Sequence, residues 1–335
     1  MFTKEISYSV LDLAVVSQGK SFRQTFEDSV AVAKLAERAG YKRYWLAEHH
    51  NMDAIGSSAT SILIGKIAEE TQYIRVGSGG IMLPNHSPLI IAEQFGTLGT
   101  LYPNRIDLGV GRAPGTDQVT ASAIRSDFYD AAMQFPSEVQ KIQDYFSVDN
   151  AHQSVRANVA EGVDVPLYIL GSSTTSAYLA SEKGLPYAFA SHFSSAQLMD
   201  ALKIYKMQFQ PSAVLDKPYS IAGISVIIAD TDEEAEFLST SYYGRVIGIL
   251  TGNRSPLEPP FEVTNEFRSI IQQPPVQQMT KYAFIGSKET VKKKVKAFIE
   301  TTDVDELIVA THVFDVKDRI KSVSAFAEVM KEVNR

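Results

Sequence analysis

The chain has 335 residues, 44% hydrophobic and 21% charged, with a formal charge of -7 and a pI near 5.5. That profile fits one large globular domain or two ordinary ones, and it supplies no basic field for nucleic acid or an anionic membrane surface. The absence of cysteine excludes disulfides, iron-sulfur clusters and thiol chemistry. The N-terminus reads as a strand rather than a signal peptide, and no apolar run is long enough to span a bilayer, so the expected location is the cytoplasm.

In chain order, short apolar runs alternate with segments of helical period. "SYSVLDLAVV" leads into "TFEDSVAVAKLAERAG", which places Ala31, Leu35 and Ala36 on one face and Gly40 as the stop. "RYWLAEHH" precedes a helix from about Ala59 to Glu69, "IRVGSGGIML" one from about Pro88 to Leu101, and "RIDLGVGRA" helical material through Tyr145. "VPLYILGSS" is followed by a helix to Lys183, "LPYAFASHF" by one to Gln208, and "YSIAGISVIIAD" by "TDEEAEFLSTSYYGRVIGIL", where Thr231 and Glu234 fit a capping box. "DELIVATHVF" and a helix from about Val316 to Val333 complete the series.

Near-continuous apolarity in each strand predicts parallel strands covered on both faces. Eight such strands, each followed by helical sequence, predict an α/β fold, a single (β/α)8 TIM barrel over residues 1–335. A doubly wound sheet would need a glycine fingerprint after the first strand, where "LAVVSQGKSF" offers only Gly19. Between the seventh and eighth strands, residues of about 244–282 do not read as one helix and contain "SPLEPPFE" and "QQPPVQQ", as expected of an insertion that serves as a lid or an oligomer contact.

In such a barrel chemistry collects at the C-terminal ends of strands. His49, His50, His86, His192 and His312 all fall at or just past predicted strand ends. A metal site is not expected, because adjacent Glu48, His49 and His50 alternate in direction and cannot all reach one ion. An anion site fits better. "GSSTTS" places hydroxyls on a strand-to-helix turn, and Arg112, at the neighbouring strand end, offers a permanently charged fork. Gly77, Gly79 and Gly80 weaken a strand unless something, such as a flat ring, must approach the backbone closely.

The order "AEHH", "RVGSGGIMLPNHSPL", "EQFGTLGTLYPNRIDLGVGRAPGTD", "PLYILGSS", "GLPYAFASHF" and "DELIVATHVFD" resembles the bacterial luciferase-like monooxygenases, flavin-dependent TIM barrels, and within them the broad single-chain branch. The resemblance implies that His49 is the active-site histidine, an imidazole near neutral pKa acting on oxygenated flavin or a substrate proton. It implies that Arg112, Ser173 and Ser176 bind the FMN phosphate, and that Gly79 and Gly80 form a cis-linked pair beneath the flavin ring. Gly111 stands where luciferase has a reactive cysteine, so light emission is not implied. The implied activity is a monooxygenase using reduced FMN, supplied by a separate flavin reductase, with oxygen and a small organic substrate. A deazaflavin coenzyme in hydride transfer, or flavin binding without turnover, are the alternatives. The family habit is a homodimer packed through helices near the second and third strands. Neither Glu48 nor His50 is expected to reach the flavin; both should bind neighbouring strands or the barrel wall.

Overall fold

The computed structural model describes residues 4–335. Eight parallel strands close a ring: β1 (Ser7–Asp12), β2 (Arg43–Leu46), β3 (Arg75–Met82), β4 (Ile106–Gly111), β5 (Leu167–Gly171), β6 (Tyr187–Phe189), β7 (Ser220–Ile228) and β9 (Glu306–Ala310), which pairs with β7 on one side and β1 on the other. Residues 1–3 of the expected first strand segment lie outside the described residues. Helices α1 (Phe22–Ala39), α2 (Thr60–Glu70), α3 (Pro88–Leu101), α4 (Gln118–Ile124), α5 (Phe128–Met133), α6 (Phe135–Phe146), α7 (Thr174–Glu182), α8 (Leu198–Gln208), α9 (Asp232–Thr251) and α13 (Val316–Val333) connect and surround the strands.

Local chemistry sets these boundaries. Ser21 and Gln24 form a full capping box at the start of α1, and Gly40 ends it in the left-handed conformation that glycine adopts without penalty. Thr231 accepts from the Glu234 amide, while the Glu234 carboxylate turns back to the Asp230 amide, one residue earlier than a standard capping box requires.

One strand was not anticipated. After α9 the chain forms α10 (Asn265–Ile271), α11 (Pro274–Met279), β8 (Ala283–Gly286) and α12 (Lys288–Thr302) before entering the ring again as β9. β8 pairs with the C-terminal half of β7, Ser225 to Ile228, and lies outside the ring. Four residues of "YAFIG" are too short to announce a strand by pattern. Gly244–Thr251 also belongs to α9, so the elaboration departs from the barrel at Gly252 rather than at Gly244. Leu257 is held by backbone hydrogen bonds to Val16 and Gln18, which fixes this segment across the β1–α1 connection.

The strands carry two cores. Residues such as Tyr44, Leu46 and Val76 face outward to the helices, while Leu11, Trp45, Tyr168, Ile221 and Ile308 fill the barrel. Beneath Trp45 the interior is charged. Arg43 donates to Glu306 at 2.9 Å, to Asp107 at 2.7 Å and to the Tyr168 hydroxyl at 2.6 Å, while Arg75 and the Trp45 indole complete Asp107. Each carboxylate is thereby paired, which burial of charge demands.

Candidate active site

The C-terminal ends of the strands open into a cavity of about 820 Å³. His49, Gly79, Gly80, Arg112, Ser173 and Ser176 all line it, so the residues singled out from sequence converge on one space. Asn253 to Glu258, Phe261 and Met279 of the elaboration also line it.

His49 lies three residues past β2, on the parity of Trp45 and Ala47, and therefore points into the barrel mouth. Its Nδ1 lies 3.1 Å from the Gly115 carbonyl; because a carbonyl only accepts, Nδ1 carries the proton. Nε2 is then the ring's acceptor and makes no hydrogen bond among the described residues. Burial lowers the imidazole to about 4; the Gly115 bond opposes the shift and the Arg245 charge adds to it. The near-neutral pKa expected of this group is therefore not what the site produces. At pH 7 His49 is a neutral base and acceptor.

Glu48, of opposite parity, is buried in the wall. Its carboxylate accepts from His50 Nε2 at 2.8 Å, His86 Nε2 at 2.9 Å, Asn85 Nδ2 at 3.2 Å and the Met82 amide at 3.1 Å. Burial alone would raise Glu48, but the hydrogen bonds from His50 and His86 and the Met82 amide outweigh it and bring the carboxyl to about 2. It binds neighbouring elements, as its parity implied.

Gly79 and Gly80 are joined by a cis peptide. The close approach that excludes side chains here comes from the protein itself. A Cβ on Gly79 would lie 2.8 Å from Leu11, and one on Gly80 would lie 2.8 Å from the Gly109 carbonyl. Gly79 and Gly80 thus present bare backbone to the cavity and are packed tightly on their other side.

At the β4 and β5 ends, Arg112 is exposed and makes no hydrogen bond or ion pair among the described residues. Ser173 is the N-cap of α7 but its hydroxyl makes no capping bond. Ser176 differs: its hydroxyl donates to the Ser173 carbonyl at 2.8 Å and lies 3.0 Å from the Tyr187 hydroxyl. Arg112 and Ser173 are free to meet an anion, whereas Ser176 is occupied in shaping the turn.

Three lining residues were not singled out from the sequence: Ser241, Tyr242 and Arg245, which project from α9. Their one signal was a lone arginine within "YYGRVIGIL", which helical periodicity assigns no role. His312, one of the histidines expected at a strand end, stacks on Tyr242 with ring centroids 6.1 Å apart. His192, past β6, has a buried Nδ1 without a partner, lies over Gly223 and is lowered by burial to about 4. Among the described residues, no group of three or more His, Cys, Asp and Glu side chains is arranged to hold a metal ion.

Comparison with known proteins places this architecture. The family model described as "Luciferase-like monooxygenase" matches residues 6–305. The chain is 48% identical to "Uncharacterized protein YvbT" of Bacillus subtilis, covering 98% of each chain, and 45% identical to "Luciferase-like monooxygenase" of Escherichia coli, covering 99% of each. It is 29% identical to the "N-acetyl-S-alkylcysteine monooxygenase" of Bacillus subtilis over 98% of this chain and 100% of the other. Among solved structures, apo-MsnO8 superposes with a TM-score of 0.89 at 30% identity, covering 98% and 99% of the two chains. Two more distant chains share the fold at a TM-score of 0.72: the oxygenating constituent of 3,6-diketocamphane monooxygenase in complex with FMN, at 18% identity and 98% coverage of both chains, and an F420-dependent secondary alcohol dehydrogenase, at 16% identity and coverage of 98% and 99%. The barrel, its histidine-bearing mouth and these matches establish an oxidoreductase, and the chain belongs to the luciferase-like monooxygenase family.

Proposed function

We propose that the protein is a flavin-dependent monooxygenase that takes reduced FMN, released by a separate flavin reductase, together with oxygen and a small organic substrate. The observation that carries this reading is the pairing, within one cavity, of an unpartnered Arg112 and free Ser173 hydroxyl with a neutral His49 whose Nε2 is unoccupied. Arg112 and the first-turn amides of α7 suit a terminal phosphate, because a guanidinium fork and a helix N-terminus act on the same negative charge. The bare Gly79–Gly80 backbone and Gly111 leave room for a planar ring between β3 and β4.

Reduced flavin, when bound, supplies the electrons that activate oxygen. The chain's own contributions are distinct. Gly115 holds the His49 tautomer, so that Nε2 can accept a proton or a hydrogen bond from a reacting group. Glu48 fixes the ends of β2 and β3 through His86, Asn85 and Met82, which orients the backbone on either side of His49. Asn253 to Glu258 and Phe261 line the cavity, and in a lid role they would shield the bound reactants from water.

The substrate class named for the N-acetyl-S-alkylcysteine monooxygenase makes thioethers a first choice for a substrate screen. A homodimer through α2 and α3 is supported by the exposure of Ile62 at 72% and Leu101 at 64%, with Ile90 between them in sequence. Cytoplasmic location remains part of the same proposal; among the described residues no helix is long and apolar enough to cross a membrane.

The test is anaerobic titration of the protein with FMN, reduced FMN and a deazaflavin coenzyme, followed by admission of air. Preferential binding of reduced FMN and an oxygen-dependent absorbance transient are the expected results. A preference for deazaflavin would replace oxygenation with hydride transfer. Binding of none of the three would remove the flavin reading.

A further inference from the structure

Arg112 and Arg245 line the same cavity but occupy different parts of its rim. Arg112 follows β4, beside the serine turn of β5. Arg245 extends from α9, the helix after β7, and its charge acts on His49, His192 and His312. In ring order β4 and β7 are separated by two strands, so the two guanidinium groups approach from different sides. A single terminal phosphate held by Arg112 does not account for Arg245.

Arg245 has no ion pair among the described residues, and its Nη1 is buried without a hydrogen-bond partner. Four other atoms of lining residues share that condition: Ser241 Oγ, one helical turn before Arg245, His192 Nδ1, Ser225 Oγ and the Tyr242 hydroxyl. No carboxylate inside the cavity is available to them. Glu48 already accepts four hydrogen bonds, and Glu182 and Glu258 stand exposed at the rim. Burial lowers Arg245 to about 10, which leaves it charged at neutral pH. The three imidazoles beside it are held neutral, so they neither compensate nor oppose an arriving anion. Arg245 is half-buried where it lines the cavity, and a cation there with no ion pair, among five unsatisfied polar atoms of lining residues, suits an anionic ligand.

We infer that Arg245, with Ser241 and His192, forms the substrate's anion subsite: the substrate is a small organic acid whose carboxylate docks on Arg245 while its reacting end lies towards His49. This rests on the flavin reading for the identity of the cavity, but the subsite itself is defined by residues of α9 and the β6 end. The carboxylate would pair with the guanidinium from the cavity side, and the Ser241 hydroxyl and His192 Nδ1, both closed to solvent in the free protein, would join it by turning their side chains toward the ligand. An uncharged analogue would leave the guanidinium unpaired.

The experiment is calorimetric titration of the full-length protein, with and without bound FMN, using matched acids and primary amides: benzoate and benzamide, phenylacetate and phenylacetamide, hexanoate and hexanamide. At least one acid should bind tenfold or more tightly than its amide. Arg245→Met should abolish that preference and Arg245→Lys retain part of it, with FMN affinity within twofold of wild type in both. Because removal of an unpaired buried charge relieves the free protein, Arg245→Met should also raise Tm by a few degrees without ligand, where a purely structural arginine would lower it. No acid preference in any pair overturns the inference. So does a loss of FMN affinity in Arg245→Met as large as that in Arg112→Ala, which would give Arg245 to the flavin. If FMN fails to bind but an acid preference persists in the free protein and depends on Arg245, the cofactor reading falls and the anion subsite stands.

Discussion

His86 Nε2 donates to the Glu48 carboxylate at 2.9 Å, joining the turn after β3 to the end of β2 directly beside the residue that faces the cavity. The same carboxylate takes bonds from His50, Asn85 and the Met82 amide. Glu48→Gln replaces an all-acceptor group with one that must also donate, stranding at least one of these donors. A loss of about 2–3 kcal/mol in unfolding free energy is expected. Displacement of the neighbouring backbone should also weaken FMN binding. Urea denaturation together with FMN titration checks both; unchanged stability would show that the wall does not depend on this hub.

His49 and His192 are both lowered to about 4, and His312 is lowered further, in each case chiefly by burial. The folded state therefore binds fewer protons than the unfolded state below the unfolded histidine pKa of about 6.5. Stability present above that value should fall as pH drops from about 6.5 towards 4, by about 1.4 kcal/mol per pH unit for each histidine. Glu48 adds a second loss lower down, between about 4.5 and 2, because its folded pKa is depressed. Denaturant unfolding at a series of pH values measures the slope, and His192→Asn should reduce it by one proton in the upper window. A flat profile from pH 6.5 to 5 would contradict the buried, neutral state of these rings.

If Arg112 anchors the phosphate, Arg112→Ala should weaken FMN binding at least tenfold while leaving riboflavin binding nearly unchanged. His49→Ala should have the opposite profile, with near-normal flavin affinity and substrate oxidation reduced by two orders of magnitude or more, the scale of general acid–base contributions. Equal losses for FMN and riboflavin in Arg112→Ala would end the phosphate assignment.

A Cβ at Gly223 would lie 2.5 Å from His192 Nδ1 and 3.3 Å from the Phe189 carbonyl. Gly223→Ala should therefore push the His192 ring out of place at a cost of about 1–3 kcal/mol. The variant should fold, show a shifted His192 resonance in NMR spectra, and bind flavin normally. An unperturbed ring would mean that β7 yields instead.

At the opposite end of the barrel, Arg43→Met leaves Asp107 and Glu306 buried with fewer donors and should cost about 3–5 kcal/mol. Flavin affinity of the folded protein should change little, since the network lies beneath Trp45 and away from the mouth. Combined denaturation and FMN titration separates this stability effect from a binding effect.

Periodicity and strand-end position made much of this protein legible from its residues. Near-continuous apolar strands alternating with capped helices predict a closed parallel barrel, and the final helix begins and ends where its pattern does, at Val316 and Val333. Parity past β2 separates inward His49 from Glu48 because side-chain direction alternates along an extended chain. Tertiary structure alone decided the rest. The pairing of Arg43 with Glu306 and Asp107 joins residues 263 and 64 positions apart, and no local pattern encodes such contacts. The depressed pKa of His49 is a property of burial, which depends on what covers the ring. Pairing of β8 with β7 beyond the reach of β6 required a four-residue strand to find an open edge. Arg245 looked like one more charge on a helix until folding placed α9 over the barrel mouth and left its guanidinium inside with no carboxylate to meet it.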